Sequence, residues 1–175
     1  LYLHPLRTIG GSVAYFISAK NFQTWFKPLL VLSAACTLLC LPLGLYYSLL
    51  ASPPDQLQGE SVRIMYIHVP AAWMSLMVYS IMAFASAAFL IWKNPLSDII
   101  AQNAAPLGAA FTLLTLLTGS LWGKPVWGTW WVWDARLTSE LILLFFYLGY
   151  IALAEAFDNP ERAAKSAAIL AIVGF

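Results

Sequence analysis

Charge is what this sequence has least of. Only 10% of its 175 residues are charged, against 61% hydrophobic, and the mean hydropathy is +0.76, which takes the chain out of the soluble class. The net charge of +1 includes no basic patch for phosphates to meet, so nucleic acid is excluded as a partner. Cysteine is nearly absent. Cys36 and Cys40 form no Cys-x-x-Cys-His attachment sequence, so the chain is not itself a c-type cytochrome, and thiols at that helical spacing read as small packing surface. A Gly-Lys-Ser/Thr phosphate loop is also missing, which assigns any use of ATP to a partner. Nor is there a cleavable signal pattern. Leu1 to Asn21 carries Arg7 and Lys20 around too broken an apolar stretch, and residues 1–24 read as a cytoplasmic or interfacial leader. With no catalytic constellation, the chain reads as a carrier rather than an enzyme.

What it has in abundance is long apolar runs. About 20 such residues in a helix cross about 30 Å of hydrocarbon, and the sequence predicts an all-α, polytopic membrane protein with a transmembrane domain over 25–175. Four complete spans are expected, over about 25–50, 64–92, 104–121 and 137–157. The breaks are Ser52-Pro53-Pro54-Asp55, Lys93-Asn94-Pro95, a tryptophan-rich loop over 122–136, and Asp158-Asn159-Pro160. A fifth span is expected from about Ala163 and is cut off at Phe175, so the sequence reads as a piece of a longer chain. Counted loop by loop, Arg7, Lys20, Lys27, Lys93, Arg162 and Lys165 fall on one face, and Arg63, Lys124 and Arg136 on the other. An excess of six over three places the N-terminus in the cytoplasm, and the tryptophan loop on the outer side, the periplasm of a Gram-negative host.

Trp122, Trp127, Trp130, Trp131 and Trp133 put five of the eight tryptophans within twelve residues, among Gly123, Pro125 and Gly128. Aromatic belts scatter over many helix ends; this is one concentrated patch, and glycine and proline point to a shaped loop. His68 is expected about one turn inside the second span on the same side, two residues before Pro70, which would weaken the helix locally. A lone intramembrane histidine is often bonded to a neighbouring backbone, yet its shared face with the indoles favours a ligand. Haem suits that combination: an apolar face, an iron that takes neutral imidazole, and propionates that want Arg63, Lys124 or Arg136. Each cation also has a plainer reading, as headgroup anchor, as loop charge, or as partner of Asp134 or Glu140. Glu140 and Glu155, near the ends of the fourth span, read as packing or capping groups.

The string WGTWWVWDARLTSEL, with Gly119-Ser120-Leu121-Trp122-Gly123-Lys124-Pro125 before it and Tyr66-Ile67-His68-Val69-Pro70-Ala71-Ala72 upstream, resembles the haem exporter protein C family. These are tryptophan-rich, haem-handling membrane proteins of cytochrome c maturation. The resemblance covers roughly 62–175. It implies six spans in the complete protein, located in the bacterial inner membrane, and haem b held transiently at the outer face. The haem would pass to a membrane-anchored haem chaperone, beside an ABC transporter's ATPase and membrane subunits and a small single-span accessory subunit. It further implies His68 as one axial ligand, with a second histidine beyond Phe175; His4, on the cytoplasmic end, does not substitute. Trp122, Trp127, Trp130, Trp131 and Trp133 would face the porphyrin edge and the chaperone, Asp134 and Arg136 would order the loop, and Arg63 would stand near the propionates. Two rival classes differ in what they require. A transporter needs inverted repeats, which this length does not show, whereas a structural subunit would use the tryptophans as docking hot spots.

Overall fold

The computed structural model describes residues 19–175, so His4 and Arg7 lie outside the described residues, as does most of the 1–24 leader. Among the described residues the regular structure is helical, apart from one isolated bridge between Asp55 and Gly59. Two compact units divide near residue 51.

The first unit holds α1 (Ala19–Tyr46), which continues as a π-helical turn over Tyr47–Ala51. Pro28 and Pro42 lie inside α1, and Ser33 and Thr37 turn their hydroxyls back onto the carbonyls of Leu30 and Ser33, so these polar groups are satisfied locally. Cys36 and Cys40 are exposed free thiols.

The second unit is a bundle of α2 (Met65–Trp92), α3 (Pro95–Trp127), α4 (Ala135–Glu155) and α5 (Pro160–Val173). A 3-10 turn over Glu60–Ile64 leads into α2. Helix α2 packs on α3, α3 on α4, α4 on α5, and α5 back on α2. Segments 26–51, 60–92, 95–127 and 135–155 are each long and apolar enough to cross a bilayer, as expected of a polytopic helical membrane protein.

One boundary differs substantially from the sequence expectation. The sequence predicts a third span over 104–121 and a tryptophan loop from 122; α3 instead begins nine residues earlier and runs six further. Asn94 caps it by accepting from the Leu96 N–H, and Pro95 supplies the first helical φ. Polar side chains of its first turns are satisfied within the helix, as Gln102 donates to Asp98 and Asn103 to the Ile99 carbonyl. At the far end the helix passes through Gly123 and Pro125 and stops only at Gly128, whose φ of 78° is left-handed and whose N–H closes on the Lys124 carbonyl. At 33 residues, α3 is about 50 Å long and overruns a hydrocarbon core of about 30 Å. Trp122 and Trp127 are therefore helical, Arg136 belongs to the first turn of α4, and only 128–134 form the connection. Pro70 likewise leaves α2 unbroken.

The core explains how the helices come close. Tyr147 is fully buried and donates its hydroxyl to the Ser75 carbonyl across α4 and α2 at 2.7 Å. Its ring fits only because α3 has Gly108 there, where any Cβ would overlap the phenol. Helix α5 buries Ala163, Ala164, Ala167, Ala168 and Ala171, a small-residue face of the kind that lets membrane helices approach.

Candidate functional site

Because α2 begins, α3 ends and α4 begins at the same end of the bundle, these three helices and the 128–134 connection converge on a cleft of about 110 Å³. His68 comes from α2, Gly119, Trp122, Gly123 and Trp127 from α3, Trp130 and Trp131 from the connection, and Arg136 and Leu137 from α4. Six predicted site residues thus share one cleft: His68, Trp122, Trp127, Trp130, Trp131 and Arg136.

The histidine is aimed by α3. Its Nδ1 lies 3.1 Å from the Thr115 carbonyl oxygen and 3.0 Å from Thr118 Oγ1. A carbonyl can only accept, so Nδ1 carries the proton and Nε2 carries the lone pair. Among the described hydrogen bonds Nε2 makes none, which leaves the neutral nitrogen that a metal prefers free for a ligand. Thr118 reinforces the arrangement by donating its own hydroxyl to the Leu114 carbonyl at 2.7 Å, so its oxygen is set to accept. Gly119 leaves room for the ring, since a Cβ there would meet His68 Cε1 at 3.0 Å. Thr115 and Thr118 did not stand out in the sequence. Their signal was a run of threonines at i and i+3 on a predicted span, which reads equally well as ordinary hydroxyl back-bonding.

The indoles line the cleft that His68 enters. Trp122 packs edge-on against His68 at 5.7 Å between centroids and lies 6.3 Å from Trp127. Its Nε1 donates to Gln58 Oε1 at 2.9 Å. Gln58 is held by the turn in which Asp55 Oδ1 accepts from the N–H groups of Leu57 and Gln58. Those same backbone donors, Gln58 first, keep the Asp55 carboxyl below the usual carboxylate range. Trp131 meets Trp133 edge-to-face at 5.3 Å, and its Nε1–H is buried without an acceptor. Trp133 itself does not line the cleft; it is 75% exposed.

The charged residues divide by task. Asp134 is the N-cap of α4, with Oδ1 accepting from Leu137 N–H at 2.9 Å and Oδ2 paired to Arg136 at 2.7 Å. The Leu137 N–H, and then the Arg136 guanidinium, hold this carboxyl below its ordinary value. Arg136 also spreads over the Trp127 ring at 5.6 Å, so it braces the cleft wall. Lys124 donates to the Gly128 carbonyl and lies 5.9 Å from the Trp130 centroid. Arg63 is not brought into the cleft lining; it pairs with Glu60 at 2.6 Å on the 3-10 turn before α2. No cluster of three or more His, Cys, Asp or Glu side chains occurs among the described residues, and of these residue types His68 alone is among those lining the cleft.

Haem fits these residues in one particular way. A ligand-enclosing pocket holds about 300–1,000 Å³, and this cleft is well below that. A porphyrin would therefore bring its iron to Nε2 and lean on the indoles rather than be swallowed. Arg136, Thr129 and Trp131 are among the lining residues that carry polar groups, and the Trp131 N–H is buried and unspent.

Comparison with known proteins agrees with the geometry. The family model described as Heme exporter protein C matches residues 12–175. The protein of that name from Bradyrhizobium diazoefficiens is 58% identical over 141 residues, covering 81% of this chain and 53% of that protein. Those of Escherichia coli K12 and Haemophilus influenzae are 48% identical over 150 residues and 50% identical over 141, covering 86% and 81% of this chain and 60% and 57% of theirs. This chain thus spans between half and three fifths of the length of these relatives. With the family's model matching nearly its whole length, the chain belongs to the haem exporter protein C family of cytochrome c biogenesis.

Proposed function

We propose that this protein holds haem b at the outer face of the bacterial inner membrane and hands it to a membrane-anchored haem chaperone. The observation that carries this reading is the free, lone-pair-bearing Nε2 of His68 inside a tryptophan-lined cleft. His68 is one axial ligand, and the second is a histidine of the complete protein beyond Phe175. Trp122, Trp127, Trp130 and Trp131 support the porphyrin edge, while the exposed Trp133 faces the chaperone. Asp134 and Arg136 order the connection, and Arg136 attracts the propionates. Iron supplies the coordination bond. The chain's own residues orient the imidazole, exclude water from its ligand nitrogen and offset propionate charge.

The N-terminus lies in the cytoplasm and the cleft in the periplasm, a placement supported by the six-to-three distribution of basic residues. The partners are an ABC transporter's ATPase and membrane subunits and a small single-span subunit, in keeping with the exporter name that the relatives carry. Haem is cargo here, and the protein is a carrier with no chemical step of its own.

The test is the visible absorption spectrum of full-length protein purified from haem-replete membranes. A Soret band is expected, lost or shifted in His68→Ala and weakened in a Trp130→Ala/Trp131→Ala double variant. No haem in any preparation would leave the alternative that the tryptophans are a docking surface of a structural subunit.

A further inference from the structure

Below the cleft lies a carboxyl group that the haem-holding scheme does not use. Glu140 is one turn beyond Leu137, which lines the cleft, and its neighbour Ser75 is two turns beyond His68 on α2. Residues at i+3 and i+7 stay on the same helical face, so two separate helices place this group under the cleft floor. Glu140 is half-buried, and its Oε1 is wholly buried with no hydrogen-bond partner. Ser75 beside it is fully buried and has its one hydroxyl proton committed to the Ala72 carbonyl.

No cation answers it. Among the described residues the ion pairs are Arg63–Glu60, Arg136–Asp134 and Lys165–Glu161. The group does not cap α4 either, because Asp134 does. On α4 the ionisable neighbours are Arg136, committed to Asp134, and the phenol of Tyr147; on α2 they are Tyr79 and, above, His68. Helix α3 carries no ionisable side chain between Asp98 and Lys124, and α5 carries Glu161, Arg162 and Lys165 at its opposite end. A buried carboxyl left in this position must hold a proton or face a positive charge.

We propose that Glu140 is the counter-charge of the cleft. It is protonated while the cleft is empty, and ionised, with its proton released to water, when a cationic metalloporphyrin centre sits above it. This rests on the haem-holding reading. It adds that cargo binding is coupled to proton release, and that the protein favours ferric over ferrous haem by the charge of one residue.

The experiment titrates ferric haemin into purified full-length protein in weak buffer near pH 7. A pH-indicator dye reads proton release, and the midpoint potential of the bound haem is then measured. Wild type is expected to release more protons per haemin than Glu140→Gln, the difference approaching one. The variant should lose about tenfold in its preference for ferric haem, a rise of about 59 mV for one electron. Glu140→Ala, which also removes the carboxyl, should shift both readouts the same way, and serves if the Gln variant does not fold. If wild type binds haemin and the variants match it in release and potential, the counter-charge role is wrong and the haem site stands. If wild type binds no haemin, both fall.

Discussion

At the scale of single residues, the decisive atom is His68 Nδ1. Its bonds to the Thr115 carbonyl and Thr118 Oγ1 select the tautomer, so the ring reaches the cleft with Nε2 unprotonated. Gly119→Val places branched carbons where Cβ alone would come within 3.0 Å of the ring. It is expected to displace His68 and weaken haemin affinity at least tenfold with little change in thermal stability, as read by spectral titration beside a melt. Asp134 acts through the backbone. Its native carboxyl titrates below the free-chain value of about 3.9, because the Leu137 N–H and Arg136 favour the ionised form. Its contribution is therefore fully present above about pH 4 and is lost as pH falls through the lowered native value. Thermal melts from pH 7 to pH 3 should show wild type losing more stability than Asp134→Asn, which keeps a capping oxygen and has no charge to lose. An equal loss in both would remove Asp134 as the source.

At the scale of elements, the long helix α3 organises the molecule, and two glycines do different things for it. Gly128 ends it in a left-handed conformation at φ 78°. Gly128→Ala is expected to cost about 1–2 kcal/mol and to loosen the connection that carries Trp130 and Trp131. Gly108 admits the Tyr147 ring, so Gly108→Ala is expected to cost about 1–3 kcal/mol through overpacking. Tyr147→Phe removes only the hydrogen bond to Ser75 and should cost about 0.5–1.5 kcal/mol. Detergent melts of the three variants give the order; Tyr147→Phe proving the most damaging would contradict the packing argument.

At the scale of the whole molecule, orientation depends on little charge. The bundle divides its basic residues evenly, with Arg63, Lys124 and Arg136 at the cleft end and Lys93, Arg162 and Lys165 at the other, so on the proposed orientation the cytoplasmic excess has to come from Arg7, Lys20 and Lys27. Neutralising those three should shift the population of membrane orientations. A periplasmically active reporter inserted after Gly128 should be active in wild type and lose activity in the triple variant. Activity independent of these charges would assign topology to the helices themselves.

The amino-acid sequence by itself determined the class of protein, and it named most of the side chains that the structure gathers in one cleft. Apolar runs long enough to span a bilayer leave few alternatives to helices, because unpaired backbone is intolerable in hydrocarbon. Five clustered indoles and one histidine were legible because both residue types are rare and costly there. Tertiary structure decided where α3 ends, since Gly123 and Pro125 look like breakers until neighbouring helices hold the segment. It also decided that Arg63 is tied to Glu60, that Trp133 faces outward, and that Thr115 and Thr118 aim the imidazole. These are contacts between residues on different helices or across a turn, up to 50 positions apart along the chain, and no local pattern of hydropathy or propensity encodes which carbonyl faces which ring.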